Sequence, residues 1–418
     1  MKNSVGSPLY NPLTPEKRVI SLVREWSDSE KMGDFNARQY AANEMKKYMV
    51  KTEDGSFTIR SEGPDQDSET MHTSHGAVAE AQIKYVNPLR IDGKKDLKIL
   101  DICTGLGINA AAALEKFIDY QGKFQLKHIK IDLVEVSWET LATALLIPIP
   151  LKSHDYIKKA FEDYLIQENH LTFRNEEKNI PSHVDLHVHC QDARKITKGI
   201  SPSNEYDAIF LDPFSPAKSP ELYSQEFFQK IGELLKDDGM ILTYTSSAPV
   251  RHALINAGLE VGEGPAMGRR GGTIASPSIE NISKPLSCDD ERMIALSDAG
   301  IPFRDPGLNN LPEKIRTKRQ TERSQARGNY KMASTVKTPV YLFKEVDDEG
   351  LQKRVLKHLR NLGIKNLNSD ESRYLVCPQF KECICHCKQK RLPTSSARIK
   401  EMENRLKRII TNKKTVKL

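Results

Sequence analysis

The sequence has no long apolar run. Its most hydrophobic stretch, Leu141 to Leu151, is broken by Pro148 and Pro150 and falls well short of the roughly 20 residues a membrane-spanning helix needs. The start, MKNSVGSPLYNPL, lacks the apolar core of a secretory leader. Both absences predict a cytoplasmic protein with no membrane partner. Cysteine is sparse outside one region: Cys103, Cys190 and Cys288 are scattered, and the other four of seven lie between Cys377 and Cys387. That distribution argues against a secreted disulfide framework. His72, His75 and Glu80 match no common zinc spacing. His187 and His189 alternate on one face of a strand, where a hydrogen-bonded or solvent role is the expectation.

Charge of one sign is concentrated. The net charge is +7, yet residues 381–418 hold twelve Lys or Arg against three Glu, and residues 313–331 hold seven against two. The rest of the chain is therefore mildly acidic. Two basic segments on an acidic body favour a polyanionic partner such as nucleic acid. Solvated helices with no partner are the alternative.

What is present centres on LKILDICTGLGINAAAALE, from Leu97 to Glu115. A short apolar run ends at Asp101; Gly105 and Gly107 follow, then an alanine-rich helix. A strand, a glycine turn and a helix form the first unit of a doubly wound α/β sheet, with a ligand crevice at the strand's carboxyl end. Dinucleotide sites want three glycines and a helix N-terminus aimed at a pyrophosphate. Here a carboxylate precedes the turn, which repels a pyrophosphate and attracts a cation such as the ammonium and sulfonium of S-adenosylmethionine. The pattern resembles the first motif of S-adenosylmethionine-dependent methyltransferases, with Cys103 standing where their first glycine usually is; a strand-turn-helix of another α/β protein is the alternative.

Downstream segments extend the pattern. Thr14-Pro15-Glu16 reads as a helix start, Ala37 to Tyr48 as a second helix, and Lys51 to Gly63 as a hairpin turning at Asp54-Gly55. Residues 71–89 read as a helix leading into the first strand. The strand His128 to Val136 ends with Glu135, placed to accept ribose hydroxyls; a solvent-exposed carboxylate is the alternative. Leu141 to Asn169 reads as helix, Val184 to Cys190 as strand, and Asp192 then stands where an adenine amino group can be accepted. Tyr206 to Lys218 is the most informative stretch. A continuous apolar run suited to a buried parallel strand delivers Asp212, and Pro213, Phe214 and Pro216 stiffen the loop after it. A carboxylate beside an aromatic ring can hold an amine, and Asp-Pro-Phe echoes the Asp/Asn-Pro-Pro-aromatic loop of amino-group methyltransferases with the second proline missing. A strand-end aspartate capping the next helix is the alternative. Helix, strand and hairpin follow to Ile274, with Arg269 and Arg270 in the turn available to an RNA phosphate or the substrate loop. Thr338 to Lys344 reads as a returning strand, Leu351 to Leu362 as an amphipathic helix, and Arg398 to Ile410 as a cationic one.

The body from about Gly55 to Ser276 resembles the methyltransferase domain of the MnmC family of tRNA wobble-uridine modification enzymes. The residues that carry the resemblance are His72-Thr73-Ser74-His75-Gly76-Ala77 with Glu80, Thr104-Gly105-Leu106-Gly107-Ile108-Asn109, the run from Phe210 through Asp212, Pro213 and Lys218 to Pro220, and Met267-Gly268-Arg269-Arg270. The resemblance implies N-methylation of 5-aminomethyl-2-thiouridine in tRNA, with S-adenosylmethionine as the methyl donor and a separate enzyme supplying the aminomethyl group. Asp212 is then the substrate-amine and catalytic residue. Glu80, Asp101, Gly105, Gly107, Asn109, Glu135 and Asp192 surround the cofactor, and Phe214, Lys218, Arg269 and Arg270 face the substrate. Cys103 and Pro213 depart from the glycines common in the bacterial enzymes, and no second dinucleotide fingerprint marks an oxidase half. A small-molecule amine methyltransferase of the same fold and a non-catalytic RNA-binding protein are the competing readings.

The expected architecture is a Rossmann-like class I methyltransferase sheet over 51–280. A helical extension over 1–50 precedes it; a basic linker over 281–345 returns to the sheet, and a Cys-rich basic extension over 346–418 follows. Cys377, Cys383, Cys385 and Cys387 are dense enough to bind zinc or an iron–sulfur centre, although single-residue gaps make one tetrahedral site awkward to close; free thiols and a redox role are the alternatives.

Overall fold

A computed structural model describes residues 15–60, 76–120, 126–201, 204–267, 270–388 and 390–415. His72, His75 and Arg269 therefore lie outside the described residues, as does Thr14, the expected helix cap. In chain order the elements begin with α1 (Lys17–Lys31), α2 (Ala37–Met45), and the antiparallel pair β1 (Val50–Lys51) and β2 (Phe57–Thr58). Next come α3 (Ala77–Glu80), β3 (Asp96–Ile102), α4 (Ile108–Tyr120), β4 (His128–Glu135), α5 (Trp138–Leu146), α6 (His154–Gln167), β5 (Val184–Cys190), α7 (Ala193–Gly199) and β6 (Tyr206–Leu211). They are followed by α8 (Gln225–Gly232), β7 (Leu235–Thr243), α9 (Ala248–Asn256), β8 (Glu260–Met267) and β9 (Arg270–Ser276). The remaining helices are α10 (Cys288–Leu296), α11 (Pro312–Ala326), α12 (Glu349–Asn361), α13 (Asp370–Val376) and α14 (Ser395–Thr415).

The seven-stranded sheet has the order β5-β4-β3-β6-β7-β9-β8. Strands β5 through β7 are parallel, with Ile102 level with Val134 on one side and Leu211 on the other. Parallel strands buried on both faces need unbroken apolar runs. The sequence supplies them: Ile99, Leu100, Ile102, Ile131, Leu133 and every residue from Ala208 to Leu211 are fully enclosed. The chain steps outward from β3 to β4 to β5, then returns to place β6 on the other side of β3. The carboxyl ends of β3 and β6 are thus the topological switch point, where ligands bind in open α/β sheets.

Three expectations are corrected by the backbone. Residues 141–169 form two helices, because Pro148 and Pro150 lack the N–H groups that would carry α5 into α6. Thr338–Tyr341 is a turn of 3-10 helix with proline near its start, not a returning strand. Helix α1 starts at Lys17 after Glu16, which makes no side-chain cap.

The chain forms two compact units. The first comprises Met1–Leu222, Glu233–Tyr244 and Gly264–Gly272; the second comprises Tyr223–Gly232, Thr245–Glu263 and Thr273–Leu418. The second is built largely from helices α8 to α14, and it includes residues on both sides of 280 and of 345. Among the described residues, no helix is long and apolar enough to cross a membrane.

Candidate active site

The switch point lies wholly within the first unit. Asp212 directly follows β6, and its backbone N–H donates to Ile102 O at 3.2 Å, which ties it to the end of β3. Tyr85 Oη donates to Asp212 Oδ1 at 2.7 Å, and Asn109 Nδ2 donates to Oδ2 at 2.8 Å. The carboxylate is thereby fixed at both oxygens, each retaining a lone pair. Its dense surroundings, followed by the nearby charge of Glu80, push its pKa up to about 6, against the opposing hydrogen bonds from Tyr85 and Asn109.

Tyr85 reaches this position from a single π-helical stretch, Ala81–Val86, that continues α3. Its ring is buried against Phe210 of β6, centroids 5.5 Å apart. One turn earlier, Glu80 accepts from Lys84 Nζ at 2.9 Å, both side chains buried, and the Lys84 ammonium sits 5.7 Å from the Tyr244 ring centre. The hairpin expected at Asp54-Gly55 anchors this segment: Asp54 Oδ2 accepts from Ala79 N at 2.9 Å, and Ser56 Oγ from Ala77 N at 3.1 Å. Short π segments recur at functional sites because they re-aim side chains out of the 3.6-residue period. Tyr85, Lys84 and Tyr244 carry no motif in the sequence, and a π turn has no periodic signature that would have found them.

Asp101, at the end of β3, is fully enclosed. Thr104 Oγ1 donates to its Oδ2 at 2.7 Å, and its Oδ1 has no hydrogen-bond partner. Burial above all pushes its pKa up to about 7; the Thr104 bond opposes this, and the charges of Asp212 and Glu135 add to it. A buried acceptor without a partner is costly, so Oδ1 is a ready site for a ligand donor. Glu135 is buried, which settles its alternative reading as a solvent-exposed carboxylate. Its Oε1 accepts from Val136 N and Ser137 N at 2.8 and 3.1 Å, and its Oε2 from Gly105 N at 3.2 Å, leaving room at Oε2 for one more donor.

The loop between them is left-handed at Cys103 (φ 63°), Gly105 (φ 56°) and Gly107 (φ 76°). The two glycines do different work. A Cβ at Gly107 would lie 2.5 Å from Ile157 Cγ2, so this position is required by packing. A Cβ at Gly105 would have only the Cys103 carbonyl oxygen nearby, at 3.9 Å. Gly105 thus borders open space, as a residue that admits a ligand must. His154 supports the turn from behind: its Nε2 lies 2.8 Å from Leu106 O, and burial holds its pKa down to about 4, so the ring is neutral. The Cys103 thiol sits among the carboxylates of Glu135, Glu221, Asp212 and Asp101, and burial followed by those charges pushes it far above the usual range. A thiol kept protonated in this way is a poor nucleophile.

Asn109 bonds the Asp212 carboxylate, and Glu80 is paired with Lys84, so both join the carboxylate's surroundings. Asp192 caps α7 through Arg194 N at 2.9 Å and pairs with the buried Arg194 guanidinium at 2.9 Å, so its carboxylate is already engaged. Phe214 and Lys218 lie in the loop after Asp212, which is closed by Ser215 O accepting from Lys218 N and Ser219 N at 2.8 and 2.9 Å. Arg270 opens β9. His187 and His189 both face Asp132, at 3.5 and 3.3 Å, as the strand alternation implied. Cys377, Cys383, Cys385 and Cys387 come together in the second unit.

The sheet order, with acidic residues at or just past the ends of β3, β4 and β6, fits the S-adenosylmethionine-dependent methyltransferase fold. The sequence profile described as "S-adenosyl-L-methionine-dependent methyltransferase" matches residues 152–278. An uncharacterized protein of Methanocaldococcus jannaschii is 30% identical over 86% of this chain and 94% of its own length. The tRNA 5-methylaminomethyl-2-thiouridine biosynthesis bifunctional protein MnmC of Leptospira interrogans is 26% identical over 41% of this chain, a match that spans 26% of that longer protein. The crystal structure of MnmC2 from Aquifex aeolicus superimposes with a TM-score of 0.54 at 26% identity, covering 72% of this chain and 99% of that one. The chain carries an MnmC-like S-adenosylmethionine-dependent methyltransferase domain.

Proposed function

We propose that the chain methylates the primary amine of a 5-aminomethyl-2-thiouridine in the wobble position of tRNA. The observation that carries this reading is Asp212: a carboxylate locked at both oxygens by Tyr85 and Asn109, at the switch point of the sheet, in a chain of the MnmC-like family. The unpartnered Oδ1 of Asp101, the spare acceptor capacity of Glu135 and the open side of Gly105 fit a cofactor that brings hydroxyl and ammonium donors. Asp101, Gly105 and Glu135 are the residues assigned to it, with Gly107 shaping the turn.

S-adenosylmethionine, when bound, supplies a methyl group on a positively charged sulfur. Asp212 attracts the substrate ammonium and takes its proton, leaving the lone pair free to attack. A carboxylate poised near 6 is a better base for this step than an ordinary one, whose pKa lies about two units lower. Tyr85 and Asn109 hold the carboxylate still, and alignment of the two reactants provides most of the rate. Phe214 packs beside the amine, and Lys218, Arg269 and Arg270 meet the RNA backbone. The aminomethyl group itself is installed beforehand by another enzyme.

The test is transfer of a labelled methyl group from S-adenosylmethionine to tRNA bearing 5-aminomethyl-2-thiouridine. The label should enter RNA, become acid-soluble on ribonuclease treatment, and elute as the methylaminomethyl nucleoside. Label on free amines only, or none on RNA, would overturn the substrate assignment.

A further inference from the structure

The second unit holds a cluster of four thiols that methyl transfer does not use. Cys377 begins the short helical turn after α13, and Cys383, Cys385 and Cys387 follow on the irregular loop that precedes α14. Their four Sγ atoms all lie within 4.8 Å of one another, with Cys377 and Cys383 3.8 Å apart and Cys383 and Cys387 3.7 Å apart. No pair is disulfide-bonded.

These separations discriminate between metal centres. Four sulfurs at about 2.3 Å from one tetrahedral zinc are about 3.8 Å apart along each edge. In an iron–sulfur cluster the thiolates bind different irons separated by bridging sulfides, which spreads them further than this group allows. The sequence spacing made a single tetrahedral site look awkward, because residues two apart on an extended chain cannot converge. Left-handed backbone at His386 (φ 62°) and Lys388 (φ 58°) removes the difficulty by folding the loop back on itself.

The surroundings suit an anionic centre. Lys388 N donates to Cys383 Sγ at 3.3 Å. Arg405 of α14 is 1% exposed, and its guanidinium donates to Cys385 Sγ at 3.7 Å and Cys387 Sγ at 3.5 Å. The same group bonds Glu401 Oε1 at 2.8 Å and Tyr374 O at 2.6 Å, so it joins α13, the loop and α14. Four thiolates around a divalent ion carry a net charge of about −2, for which a buried guanidinium and a backbone N–H are the expected outer partners.

We propose that Cys377, Cys383, Cys385 and Cys387 bind one Zn2+ in a closed, structural tetrathiolate site that pins the 377–388 loop against α14. The loop has little regular structure of its own, and the ion takes the place of a core there. With no open coordination position, the site has no direct part in methyl transfer.

The full chain, purified after expression with zinc supplied, should contain about one zinc per molecule by plasma mass spectrometry. Cobalt(II) added to the metal-stripped chain should give the intense visible absorption of a tetrahedral thiolate complex. The double variant Cys385→Ser/Cys387→Ser should lose the zinc, and Cys288→Ser, an exposed cysteine outside the group, should keep it. Should the double variant fail to fold, zinc content and the cobalt spectrum of the unaltered chain still decide. Absence of zinc, iron in its place, or a disulfide among the four cysteines would overturn the proposal.

Discussion

Asp212 concentrates the chemistry of this site in one titration. Its acceptors are held by Tyr85 and Asn109, both of which favour the ionised form, while burial and Glu80 oppose ionisation and win. Activity at limiting substrate should therefore fall as pH drops through about 6, where the carboxylate becomes neutral and no longer holds an ammonium. Tyr85→Phe removes one donor to the charged form, so the acid limb of the kcat/KM profile should move to higher pH. An unmoved limb would mean that another group sets it. Cys103 offers a second test at this scale. A non-glycine residue with φ 63° carries backbone strain of about 1 kcal/mol, and the thiol is inert. Cys103→Gly should retain cofactor binding and change stability by no more than about 1 kcal/mol, because relief of strain is offset by a freer unfolded chain. Loss of cofactor affinity in that variant would give the thiol a role that its protonation argues against.

At the scale of elements, the glycine turn separates packing from binding. Gly107→Ala forces a Cβ into Ile157 at a left-handed position and should cost at least about 2 kcal/mol of stability, read by denaturant unfolding. Gly105→Ala meets no packed neighbour but puts a side chain on left-handed backbone, so it should cost about 1 kcal/mol of stability, less than Gly107→Ala, and lose cofactor affinity besides. The hairpin predicts a coupling of its own. Burial works against ionisation of Asp54, but hydrogen bonds led by those from Ser56 and Ala79 hold its pKa down to about 2. Its folded pKa lies below the unfolded value, so its contribution is present at neutral pH and is lost as pH falls from about 4 through about 2. Asp54→Ala should cost about 1 kcal/mol and also lower the methylation rate, since the cap anchors the segment that carries Tyr85. Strand β6 was readable because a buried parallel strand needs an unbroken apolar run, and β5 because its apolar residues alternate; both lie within a residue of where those patterns put them, Glu135 ends β4, Asp101 stands one residue before the end of β3, and Asp212 directly follows β6. What escaped was non-periodic. The π turn holding Tyr85 looks like ordinary helix, and TPVYLF reads as a strand until tertiary packing coils it into a 3-10 turn.

For the whole molecule, the charge pattern means less than the composition suggests. Within the second unit, Arg319 donates to the carbonyls of Ile301 and Ala299, and Arg323 and Arg327 both pair with the fully buried Asp298. Lys331 pairs with Glu403, and Arg398 forms a buried ion pair with Glu291 at 2.5 Å. Much of the basic excess thus neutralises internal carboxylates, a distinction that no residue count can make. Among the described residues, the exposed basic side chains of α14 are Lys400, Lys407 and Arg408, on one face, with Arg408 also bonded to the Tyr374 hydroxyl. Ile399, Met402 and Leu406 of the same helix are core, so removing the helix would dismantle the unit rather than test its charge. The variant Lys400→Glu/Lys407→Glu/Arg408→Glu should keep the fold, weaken tRNA binding, and flatten the dependence of log Kd on log salt by up to about three. An unchanged salt slope would place the RNA elsewhere.

The proposed reaction depends on a carboxylate that acts on the substrate amine and not on the cofactor. Asp212→Asn preserves size and keeps a carbonyl oxygen while removing the charge, so its two functions can be separated by calorimetry with S-adenosylmethionine and by single-turnover transfer to tRNA. Cofactor affinity should stay within about threefold, while the transfer rate should fall by roughly a hundredfold or more. Transfer at the unaltered rate, or a rate loss explained entirely by failure to bind the cofactor, would contradict it.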